Sequence, residues 1–167
     1  MNYKEAVKLI EKLVEKKCYY VDFVPFTFPD RNYAELDDYL ETHYKETYAK
    51  KIIFIAFSLM YYYDCQVYLD EEMSESFSNF KKKDLRNIGL DILDAFIHKL
   101  VVKNRSGLNI IITHADNTHS LMRIEDGYQT LFFNINGECL NIIKQLVDHQ
   151  GLFLKRAIFQ DSIRLWS

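Results

Sequence analysis

The sequence predicts a single α+β domain spanning residues 1–167, with a mainly antiparallel sheet that includes a C-terminal three-strand meander packed against about four to five helices. Three observations carry that expectation. The chain alternates segments of helical and strand periodicity. It then runs through three short β-type segments joined by turn residues. It also shows no internal repeat, low-complexity stretch or linker. Strands in succession beside several helices indicate a mainly antiparallel sheet covered by helices on one face.

The first helix is read over 3–17, where Ala6, Val7, Ile10, Leu13 and Val14 recur at helical spacing and Lys and Glu fill the other face. "CYYVDFV" follows as a strand with Tyr19, Val21 and Phe23 on one side. Pro25 and Pro29 bracket a loop, since proline lacks the amide a ladder needs. A polar helix is expected from about Arg31, with Asp30 as N-cap. From Glu46 to Tyr63 no Gly, Pro or Asn interrupts an almost wholly apolar run, so it reads as a central helix covered on nearly every side. "CQVYL" alternates as a strand, and "DEEMSESFSN" reads as an acidic loop. The next helix is expected from Asp84 to about Lys99. Strands are then expected near 108–114, 119–125 and 128–135, with Asp126-Gly127 as a two-residue hairpin turn. A helix over 138–150 ends at Gly151, with Leu152 positioned to pack back on Val147. "LFLKRAIF" is the last strand.

Composition narrows the function. The 167 residues carry a net charge of -3, which gives no footing for general nucleic-acid or membrane binding. The longest apolar run is too short to span a bilayer, and the N-terminal segment reads as an amphipathic helix rather than a signal peptide. Cys18, Cys65 and Cys139 are far apart and fit a reducing compartment, so a cytoplasmic protein is expected. The chain is rich in rings, with 12 Tyr and 12 Phe, and the simplest home for them is the core. Tyr19, Tyr20 and Tyr61–Tyr63 are candidates for lining a small-ligand pocket, with burial in the core as the ordinary alternative.

No nucleophile elbow, phosphate-binding loop, zinc-protease helix or dinucleotide fingerprint occurs, and no cofactor is implied. Two constellations remain. "ITHADNTHS" places His114, Asp116 and His119 around a turn. If a four-residue loop, 115–118, joined the strands, the two histidines would face each other and accept one metal ion with Asp116. The ordinary alternative is an Asp-Asn turn flanked by solvated histidines. Cys139, at a helix start, is a candidate for a lowered thiol pKa, with a buried structural thiol as the ordinary alternative. The second constellation is "LDEEMSESF", in which Asp70, Glu71, Glu72 and Glu75 interleave with Phe77 to make an acidic surface with an apolar anchor. That pattern suits docking against a basic protein. The leading expectation is a non-catalytic protein-binding module, an immunity or inhibitor protein masking a basic partner such as a nuclease toxin. The alternative is a metal-dependent enzyme using the hairpin histidines.

Overall fold

A computed structural model of the chain describes residues 1–26, 34–70, 79–103, 107–125 and 127–157. Its helices are α1 (Tyr3–Val14), α2 (Ala34–His43), α3 (Lys45–Tyr62), α4 (Leu90–Val102) and α5 (Gly137–His149). Its strands are β1 (Cys18–Asp22), β2 (Asp64–Leu69), β3 (Leu108–Thr113), β4 (His119–Ile124), β5 (Thr130–Phe133) and β6 (Phe153–Arg156). The strands form one antiparallel sheet in the order β2-β3-β4-β5-β1-β6. The expected α+β class and the β3–β4–β5 meander are both present.

Alternation along the strands divides the core in two. Ile110, Ile112, Met122, Ile124 and Phe132 join residues of α3, α4 and α5 in the larger cluster. Tyr68, Ile111, Leu121 and Phe133 point the other way and meet Ala6 and Leu13 of α1. Helices therefore cover both faces, which corrects the expectation of a one-sided layer. The reason is the apolar stripe of α1, which is buried against this second face of the sheet. A capping box starts α1: Asn2 Oδ1 accepts from the Glu5 amide at 3.0 Å, and the Asn2 amide donates to Glu5 Oε2 at 2.9 Å.

The helix expected from Asp84 begins instead at Leu90 and runs on to Val102. Asp84 has the chemistry of a helix cap but spends it elsewhere. Its Oδ1 accepts from the amide of Val67 in β2 at 2.9 Å and from the Arg86 amide at 3.0 Å. The Leu85 amide then donates to the Val67 carbonyl at 2.7 Å, so this turn is laid along the outer side of β2. Gly89, at φ 98°, turns the chain into α4.

The β4–β5 connection is one residue longer than expected. The Glu125 amide donates to the Gln129 carbonyl at 2.8 Å, leaving three residues between them; Asp126 itself lies outside the described residues. The end of α5 matches its sequence: Gly151 has φ 67°, and the Leu152 amide donates to the Val147 carbonyl at 3.1 Å. Asp30, the expected cap of α2, lies outside the described residues.

α3 is the central helix, and Ile52, Ile55, Ala56 and Leu59 are fully buried. It is not covered all round. Its outer side carries Phe54 (44% exposed), Tyr61 (86%) and Tyr62 (59%). With one sheet beneath and α4 and α5 alongside, no element lies over that side among the described residues. Among those residues no helix is long and apolar enough to cross a membrane.

Candidate functional site

At one end of the sheet α3 finishes, β2 starts, the β3–β4 hairpin turns and α5 begins. The hairpin decides where the histidines go. The His114 amide donates to the Thr118 carbonyl at 2.9 Å, and Asn117, at φ 60°, donates to the His114 carbonyl at 2.9 Å. Asp116 Oδ1 accepts from the Thr118 amide at 2.9 Å and its hydroxyl at 2.6 Å. This is Asx-turn chemistry, and it leaves three loop residues rather than four. Thr113 pairs with His119, and His114 lies opposite Thr118. Since successive residues alternate in direction, His114 and His119 project from opposite faces of the ladder. The expected opposition of the two imidazoles is not formed. Among the described residues no group of three or more His, Cys, Asp and Glu is arranged to hold a metal ion.

His114 faces the side of the larger core. Its Nε2 lies 2.8 Å from Ser120 Oγ, which donates to the Asn134 carbonyl at 2.9 Å. With that hydroxyl hydrogen committed, Nε2–H must be the donor to Ser120, which sets the tautomer. Burial lowers the imidazole's pKa, outweighing the raising effect of Asp116. The Tyr63 ring stands edge-on to His114 at 5.5 Å. Cys139, in the first turn of α5, is buried, and burial raises its thiol pKa even though it sits at a helix N-terminus. The group is a packed polar knot around a protonated thiol and a neutral imidazole.

Around this knot opens a cleft of about 530 Å³ whose lining includes Tyr62, Tyr63, Asp64, Asp116 and Glu138. Asp64, Asp116 and Glu138 are exposed, and none forms an ion pair among the described residues. The cleft's described lining holds no Lys or Arg. Tyr62 also lines a second cleft, of about 500 Å³, together with Phe54, Phe57 and Tyr61. Aromatic surface and unpaired carboxylates are therefore continuous through Tyr62.

The acidic segment singled out in the sequence fares differently. Asp70, at the end of β2, lies 3.0 Å from Arg123 Nη2 and accepts from Asn109 Nδ2 at 2.5 Å. Arg123 in turn lies 2.7 Å from Glu125. The Asp70 charge is thus used inside the fold. Glu71, Glu72, Glu75 and Phe77 lie outside the described residues. Sequence reasoning missed Phe54 and Glu138. The available signal was Phe54, Phe57, Tyr61 and Tyr62, which recur at one-turn spacing on a helix read as fully covered.

Comparison of the chain with protein-family models, curated proteins and solved structures finds no match.

Proposed function

We propose that this protein is a non-catalytic protein-binding module, of the immunity or inhibitor kind, that masks a basic partner such as a nuclease toxin. The observation that carries this reading is the outward face of α3, where exposed Tyr61 and Tyr62 adjoin the carboxylate-lined cleft. Exposed rings of this size are costly to leave in water, and tyrosine is a favoured anchor of interfaces. The neighbouring carboxylates would steer a positively charged protein onto them and disfavour acidic competitors. The docking surface is assigned here rather than to Asp70, whose carboxylate is engaged by Arg123 and Asn109.

The test begins with affinity purification at low salt and identification of the co-purifying protein. Its affinity for a Tyr61→Ser/Tyr62→Ser variant is then measured. Two lost anchors are expected to weaken binding by about a hundredfold or more, with the unfolding midpoint unchanged because both rings are exposed. Unaltered affinity would reject this face as the docking surface.

A further inference from the structure

The two clefts that share Tyr62 differ in charge, and the difference has a direction. The cleft on α3 is lined by Phe54, Phe57 and Tyr61, and its only charged lining residues among those described are Lys50 and Asp94, one of each sign. The cleft beside the hairpin holds Asp64, Asp116 and Glu138 with no cation among its described lining residues. The surface is an apolar groove along a helix, neutral over most of its length and negative at the end where α3 meets β2. A partner that buries apolar area along the groove while leaving those carboxylates unanswered would desolvate them without compensation.

We infer that the partner docks with a fixed polarity, as an amphipathic segment whose apolar side lies along Phe54, Phe57 and Tyr61 and whose arginine- or lysine-bearing end enters the cleft between Tyr62 and the hairpin. This rests on the docking surface proposed above and adds the partner's local chemistry and orientation. Helix-in-groove recognition supplies the apolar half, since anchors a turn apart match a groove of this kind. The tyrosine faces and carboxylates supply the other half, because a guanidinium can meet carboxylate oxygens while stacking on an aromatic ring. Asp116 is already suited to that role: hydrogen bonds from Thr118 hold its carboxyl below the usual range, so it is ionised at neutral pH.

The experiment uses isotope-labelled full-length protein and a synthetic amphipathic peptide with leucines on one side and arginines at one end. A second peptide carries glutamates in place of the arginines. Amide shifts are followed by NMR during titration, at low and at physiological salt. The expected result is that the arginine peptide shifts residues of α3 around 54–62 together with the hairpin around 113–118. The glutamate peptide should bind at least about tenfold more weakly. An Asp64→Asn/Asp116→Asn/Glu138→Gln variant should erase the difference between peptides while α3 shifts persist. Equal affinity of the two peptides, both shifting α3, would overturn the polarity and leave the docking face standing. Shifts absent from α3 with both peptides would overturn the polarity too, and the Tyr61/Tyr62 variants then test the docking face on their own. Groove shifts that grow with protein concentration before peptide is added would assign the groove to a second copy of this chain and overturn the inference.

Discussion

Asp70 separates a structural charge from a docking charge, and replacing it with alanine gives a measurable consequence. The side chains of Asp70 and Arg123 are 22% and 23% exposed, so the pair lies between two limits. A fully exposed pair is worth about 0–1 kcal/mol; removing one partner of a fully buried pair costs about 3–5 kcal/mol. Arg123 keeps Glu125 at 2.7 Å, which places its loss toward the lower limit. Asn109 is buried and loses the acceptor of its amide, a cost of about 1–3 kcal/mol. Together these give roughly 2–3 kcal/mol. In urea, with a slope of about 2 kcal/mol per molar, the unfolding midpoint should fall by about 1 M. Asp70→Asn keeps an oxygen for Asn109 and should cost less than the alanine variant. Pairing Asp70→Ala with Arg123→Ala should cost less than the sum of the two, because residues in contact couple. An unmoved midpoint for Asp70→Ala would refute this reasoning and return Asp70 to the exposed acidic surface.

Two further outcomes follow from the polar knot and the thiols. His114 has a folded pKa below its usual 6.5, so an unfolded chain takes up its proton first as pH falls. The stability tied to this group is intact above about pH 6.5 and is lost progressively as pH drops from there through the folded value. An NMR titration of its ring should give a midpoint below 6.5, and a midpoint at or above that value would contradict the burial argument. Burial pushes the Cys65 thiol up to about 12 and the Cys18 thiol up to about 11, and also raises Cys139. Access to the sulfur, not ionisation, is what separates Cys18 from the other two. Under native conditions both should react with an aromatic disulfide reagent more slowly than Cys18, the partly exposed thiol, and all three should react at once in denaturant. Fast native labelling of Cys139 would point to a thiolate there.

The elements that sequence periodicity located well are those with a single buried stripe. α1 and α5 show this, as does the meander, where alternation and turn residues agree. α4 was misplaced at its start because Asp84 carries the same chemistry for capping a helix and for binding a neighbouring strand, and only the fold selects between them. The hairpin histidines failed for a related reason. A loop of three residues instead of four shifts the register by one, and one residue of slip moves a side chain to the opposite face. α3 shows a different limit. Its composition correctly signalled the centre of the helix layer, but a run with rings on every side does not reveal which side the fold leaves open. The carboxylates beside Tyr62 come from β2, the hairpin and α5, segments too far apart for any local motif to join.

The turn laid along β2 bears on how this chain behaves in company. The outermost strand of an open sheet offers bare amides and carbonyls to any extended chain that drifts past, and such rows seed fibres and strand exchange. Here both backbone groups of Val67, midway along that strand, are already taken by Asp84 and Leu85. At the far side β6 is four residues long and carries Lys155, clasped to Asp22 at 2.6 Å. A stray strand would have to evict an aspartate on one flank, or settle for a short, basic ledge on the other. Among the described residues both borders of the sheet are thus guarded against copies of this chain, while no element covers the outer side of α3.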